Sequence, residues 1–125
     1  MARGLFLNLD NLEGGIKRKL SEGVETQIFV GDNVMVSRVT CTPGAEGKLH
    51  SHPEEQWGVL LEGSGIRVQD GARFTVKKGD LWQTPGNVEH TFEAGPDGAV
   101  ILDIFSPPRA EYRTAGEGVG TGEKG

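Results

Sequence analysis

Ile66-Arg-Val-Gln-Asp-Gly-Ala-Arg-Phe-Thr-Val76 decides the fold. Asp70-Gly71 stands between two β-rich runs, Ile66–Gln69 and Arg73–Val76. A two-residue hairpin loop needs positive φ at both central positions, which Asp and Gly accept at low cost. The stretch therefore reads as a β-hairpin. Outward from it the same punctuation repeats: Gly31-Asp32-Asn33, Pro43-Gly44, Gly63-Ser64-Gly65, Lys78-Gly79-Asp80, Pro85-Gly86-Asn87 and Gly95-Pro96-Asp97-Gly98 all read as turns. Between them lie the runs Thr26–Val30, Val34–Thr40, Gln56–Leu61, Leu81–Thr84, Val88–Phe92 and Ala99–Phe105. No helical period persists over three turns between residues 24 and 108. Short strands at this spacing predict an all-β sandwich or barrel.

A chain of 125 residues suffices for one compact domain. Its 20 glycines, about twice the ~7% frequency of ordinary proteins, fit frequent turns. With 13 basic against 18 acidic residues the net charge is −5, without the clustered cations that a nucleic-acid partner requires. Cys41 is the single cysteine, so neither an intramolecular disulfide nor a thiolate zinc cluster can form, and a small buried hydrophobe is its expected role. The apolar patch Leu5-Phe6-Leu7 is too short for a signal-peptide core. The most apolar run, Ala99–Phe105, is interrupted by Asp103 and falls far below bilayer length, so no membrane partner is expected. A soluble, cytoplasmic protein is the expectation. The barrel is placed at residues 24–113. Residues 1–23 are expected as a loose arm, since Gly14-Gly15 spoils the helix-like spacing of Leu9, Leu12 and Ile16. Residues 114–125 are expected as a disordered tail: five of the eleven residues from Ala115 onward are Gly, and no large apolar side chain follows Val119.

The three histidines carry the main chemical signal. Alternate side chains on a strand share a face, so His50 and His52 point the same way, and Gln56 keeps that parity if Pro53 adds no bulge. His90 arrives from a distant run. One strand offering His-x-His and another offering a third His can grip a divalent metal. Spacing alone equally allows a surface His pair and a core histidine.

The punctuation around these residues carries a resemblance. Gly44, five residues, His50-x-His52, three residues, Gln56, six residues and Gly63 are followed, after fifteen more, by Gly79, five residues, Pro85 and then His90. This is similar to the two-part signature of the cupin superfamily. The resemblance implies a small antiparallel β-barrel of the jelly-roll (double-stranded β-helix) type, a homodimer, and one divalent metal ion per chain held by His50, His52, Gln56 and His90. The chain departs from the pattern at Gln56 (usually Glu), Asn87 (usually Gly) and Ala94 (usually Asn). Asn tolerates left-handed geometry at 87. Gln56 matters more: three imidazoles and an amide oxygen leave the 2+ charge uncompensated, which strengthens Lewis acidity and favours anionic substrates. Glu54 or Glu55 would supply a carboxylate instead if the strand bulges locally. Such ligands suit Zn, Fe, Ni, Mn or Cu.

On the last strand Ile101, Asp103 and Phe105 share a face. An aspartate in so apolar a run needs a partner, either Arg67 or Arg109 as counter-ion or a role as acid/base beside the metal. His-Ser-His-Pro-Glu-Glu-Gln (50–56) and Asp-Ile-Phe-Ser-Pro-Pro-Arg (103–109) resemble a small cupin group of pectin and alginate degradation that opens and ketonises 4,5-unsaturated uronates. The resemblance implies an isomerase acting on a small carboxylated substrate. In it Asp103 would move the proton, Arg109 would hold the carboxylate and Phe105 would wall the sugar. A metal-dependent dioxygenase and a non-catalytic sugar- or metal-binding module are the alternatives.

Overall fold

Two long strands, of 15 and 17 residues, organise the molecule. The computed structural model describes residues 3–119. In it the strands are β1 (Ile16–Ser21), β2 (Val24–Val30), β3 (Met35–Cys41), β4 (Glu55–Gln69), β5 (Ala72–Lys77), β6 (Leu81–Thr84), β7 (His90–Ser106) and β8 (Gly116–Glu117). The Asp70-Gly71 hairpin joins β4 to β5 as expected, with φ of 53° and 77° and Gln69 paired to Ala72.

Gly63-Ser64-Gly65 and Gly95-Pro96-Asp97-Gly98, expected as turns, are irregularities inside β4 and β7, where the register of the pair shifts. A Cβ on Gly63 would lie 2.1 Å from the Gly98 carbonyl oxygen, so the two strands touch backbone to backbone where both bend. An odd insertion flips side-chain parity. Gln56, Gly58 and Leu60 are buried before the bend in β4, and Gly65 and Arg67 after it. In β7 His90 and Phe92 give way to Ala99, Ile101 and Phe105. Each long strand therefore serves two sheets. The second half of β4 pairs with β5 and the first half of β7. The first half of β4 pairs with β6 and the second half of β7, and the sheet continues through β3, β2, β1 and β8. The result is an all-β jelly roll.

Val24, Val39, Cys41, Leu60, Val76, Phe92, Ala99 and Ile101 form one core between the sheets. Ile28, Met35, Phe105 and Tyr112 form a second. Cys41 is the buried hydrophobe expected, its thiol pushed up to about 12 by burial.

The expected ends of the barrel are corrected. Ile16–Ser21 is not a loose arm but a strand on β2. The Gly pair that breaks the helical spacing is what admits it: Gly14 and Gly15 have φ of 79° and 78°, and a Cβ on Gly15 would lie 2.7 Å from the Ile28 carbonyl oxygen. At the other end β8 pairs in parallel with β1, and Val119 is 2% exposed, so the expected tail is part of the fold up to Val119. The rest of that expectation, residues 120–125, lies outside the described residues. Among the described residues no helix is long and apolar enough to cross a membrane.

Candidate metal centre

His50 and His90 are brought together by backbone. The two residues exchange N–H···O bonds of 3.2 and 2.9 Å, which ties the loop before β4 to the start of β7. Asn87, φ 68°, turns the chain into β7 and donates its N–H to the His52 carbonyl at 2.7 Å, fixing the second histidine against the same turn. One ligand atom from each of the three imidazoles lies within 4.8 Å of the others, and all three residues are buried.

The tautomers follow from the hydrogen bonds. A carbonyl oxygen only accepts, so His50 Nδ1 donates to Lys48 (2.7 Å), His52 Nδ1 to Glu54 (3.0 Å) and His90 Nδ1 to Val88 (2.8 Å). Burial holds His50 and His52 down to about 4 and His90 to about 2, with Arg109 adding to the effect at His52 and Arg67 at His90. All three rings are therefore neutral at pH 7, with a bare lone pair on each Nε2. His90 Nε2 has no hydrogen-bond partner among the described residues. His52 Nε2 faces the Gln56 side-chain oxygen at 3.0 Å, acceptor against acceptor, since the His52 proton is on Nδ1 and the Gln56 amide, which lowers the Asp103 carboxyl, can do so only through its nitrogen. A buried acceptor without a donor is costly. Three imidazole lone pairs and one amide oxygen turned toward each other are the donor set that a divalent cation satisfies, and Nδ1–H anchoring to carbonyls is the outer-shell arrangement of metal-bound imidazoles.

Asp103 sits beside this cluster. Burial raises its carboxyl to about 6 against the opposing pull of Arg67, the Gln56 hydrogen bond and Arg109. Its Oδ1 has no hydrogen-bond partner among the described residues. Neither expected counter-ion, Arg67 or Arg109, forms an ion pair with it within 4.0 Å among the described residues. Glu55 turns outward to the Trp57 Nε1–H and Gln83. Glu54 places Oε1 3.4 Å from His52 Nδ1, on the side of the ring away from the bare nitrogen.

A cavity of about 60 Å³ adjoins the cluster, with His50, Gln56, His90, Asp103 and Phe105 among its walls. Arg109 is not in the wall. It is fully buried behind it, its guanidinium 4.2 Å from the Tyr112 ring centre and 5.8 Å from that of Phe105. Two further wall residues, Arg67 and Val119, have no place in the expected site. Arg67 is 5% exposed, donates to Thr84 Oγ1 at 2.8 Å and to the Gln69 side chain at 3.3 Å, and lies over Trp82.

Fold and site together define a jelly-roll protein with a buried three-histidine cluster suited to a divalent metal ion. The chain belongs to the cupin family: the family described as "Cupin domain" matches residues 37–105. It is 32% identical over 104 residues to the pectin degradation protein KdgF of Dickeya dadantii, covering 82% of this chain and 88% of that protein. Among solved structures, an RmlC-like cupin from Shewanella frigidimarina superposes with a TM-score of 0.75 at 25% identity, over 90% of this chain and 99% of that one. KdgF from Halomonas sp. superposes at 0.76 and 22% identity, over 87% and 98%, a likeness of fold.

Proposed function

We propose that this cupin is a metal-dependent isomerase that opens and ketonises a small 4,5-unsaturated uronate. One observation carries the reading: three bare imidazole nitrogens converge with the Gln56 oxygen, and His50, His90, Gln56 and Asp103, the last with an unpartnered carboxylate oxygen, line one cavity. The relative named for pectin degradation supports the substrate class. His50, His52, His90 and Gln56 would hold one divalent ion, which when bound supplies Lewis-acid polarisation of a substrate oxygen.

The reaction is an internal rearrangement, so a proton has only to be moved. Asp103 takes the proton of the anomeric hydroxyl as the C1–O5 bond breaks. The aldehyde forms at C1, and the electrons of the broken bond leave O5 as an enolate on C4–C5. Return of the same proton from Asp103 to C4 converts the enolate to the C5 ketone and restores the carboxylate. Gln56 holds Asp103 in place through its amide nitrogen. Phe105 gives an apolar wall to the sugar. Arg109 has the planar fork that pairs with a carboxylate. Under the same reading the protein is a cytoplasmic homodimer. Phe6, 93% exposed beside Leu5 and Leu7, is apolar surface that a second copy would cover.

Proton NMR of the metal-loaded chain with a 4,5-unsaturated galacturonate tests the reaction. The vinyl proton should disappear at least 100-fold faster than in the spontaneous reaction, with the linear keto acid replacing it, and Asp103→Asn should remove most of the acceleration. No acceleration with any of Zn, Fe, Ni, Mn or Cu would reject the isomerase reading.

A further inference from the structure

The C-terminal segment reaches the cavity wall at Val119 and is held by two arginine side chains and by pairing to β1. Arg18 on β1 donates through Nε to the Gly118 carbonyl (2.8 Å), through Nη2 to Glu117 (2.9 Å) and through Nη1 to Glu111 (3.0 Å) and Thr114 (3.4 Å). Gly118 N–H donates in turn to the Lys19 carbonyl at 2.8 Å. Beyond this clamp Val119 is 2% exposed and its side chain is part of the cavity wall. The Val119 carbonyl accepts a 2.5 Å hydrogen bond from Arg109 Nη2. The Arg109 Nε and Nη1 have no hydrogen-bond partner among the described residues, and the guanidinium lies at ion-pair distance from Glu54 (4.0 Å) and Glu111 (3.7 Å).

The room beside the cluster is small. The cavity of about 60 Å³ is a fraction of the ~300–1,000 Å³ of ordinary small-molecule sites. No sugar enters it as it stands. The wall most simply displaced is the one that carries Val119. Its strand pairing is two residues long, and its side-chain anchors are Arg18 and Arg109.

We propose that residues 114–119 form a movable wall, clamped by Arg18, that admits substrate by lifting Val119 off Arg109. Lifting enlarges the cavity and frees the Arg109 guanidinium, whose bond to the Val119 carbonyl is exchanged for one to the substrate. The Arg109 half of this rests on the carboxylate reading above, whereas the movable wall stands without it. Arg18 is then a positioning residue that sets access to the site. Because binding needs the open form, apparent affinity scales with the open fraction, and weakening the clamp tightens binding.

The test uses the full chain loaded with Co²⁺, as wild type, Arg18→Ala and Val119→Gly. Its readouts are amide exchange at Gly118, the rate of Co²⁺ loss to excess EDTA, and the affinity for saturated galacturonate. Arg18→Ala should speed both exchange and Co²⁺ loss at least tenfold and tighten galacturonate binding by a similar factor. Val119→Gly leaves β1 intact and should do the same, which covers the case in which Arg18→Ala does not fold. Faster exchange at Gly118 with unchanged Co²⁺ loss in both variants would overturn the movable wall. Faster Co²⁺ loss with no galacturonate binding in any form would uphold the wall and remove the carboxylate reading.

Discussion

At the scale of single residues the chemistry turns on Gln56. Its amide faces the imidazoles with its oxygen and Asp103 with its nitrogen. A glutamate would do the first and not the second, setting a carboxylate against Asp103. Gln56→Glu should therefore tighten metal binding by about tenfold, because the added charge offsets that of the ion, and should slow turnover about 100-fold, because Asp103 loses its donor. Chelator competition and the vinyl-proton assay read the two effects separately. The histidines were legible in the sequence as a His-x-His pair with a distant third, but strand parity is not what joins them: His50 and His52 lie in the loop before β4, and the His50–His90 bridge and the Asn87 N–H bond to the His52 carbonyl assemble the cluster. Arg67 was not legible as a cavity residue. The irregularity around Gly63-Ser64-Gly65 flips its parity relative to Gln56, and nothing in residue types reveals a flip before the pairing is known. Arg109 was singled out through the family resemblance of residues 103–109, but its burial behind Tyr112 and Phe105 depends on the path of the chain after β7.

At the scale of elements two glycines separate local from tertiary requirements. Gly71 has φ 77° and nothing within 4 Å of the place a methyl group would take, so Gly71→Ala meets backbone strain alone, about 1 kcal/mol. Gly63 has φ 84° and a β7 backbone oxygen 2.1 Å from that place. Gly63→Ala adds a clash between two long strands and should cost roughly 3 kcal/mol or more. Urea unfolding of both variants measures the contrast, and equal losses would show that the bends of β4 and β7 are not locked together. The hairpin was readable because its requirement is local. The two long strands read as four short ones because Gly-rich bends inside a strand use the same residues as turns between strands. β1 and β8 escaped notice for a related reason: their glycines look like loosened chain, and only the close approach of Gly15 to Ile28 and the grip of Arg18 show what they permit.

At the scale of the whole molecule the buried imidazoles set the response to acid. Each takes a proton near 6.5 in the unfolded chain, whereas in the fold burial holds His50 and His52 to about 4 and His90 to about 2. Between these values the unfolded chain binds more protons. The stability associated with the three rings is thus fully present above about 6.5 and is lost as pH falls toward 4. Asp103 acts in the opposite direction, its carboxyl raised from 3.8 to about 6, so the fold regains some stability in acid from that one group. Three imidazoles outweigh one carboxyl, and the metal-free chain should melt more than about 5 °C lower at pH 5 than at pH 7.5. Calorimetry at the two values checks the sign. The most direct test of the account is a titration of the metal-free chain with Co²⁺ at pH 7.5, followed by its visible absorption, in wild type and His90→Ala. The account predicts saturation at one ion per chain in the wild type and loss of that binding in the variant. Absence of stoichiometric binding in the wild type, or its survival in His90→Ala, would contradict it.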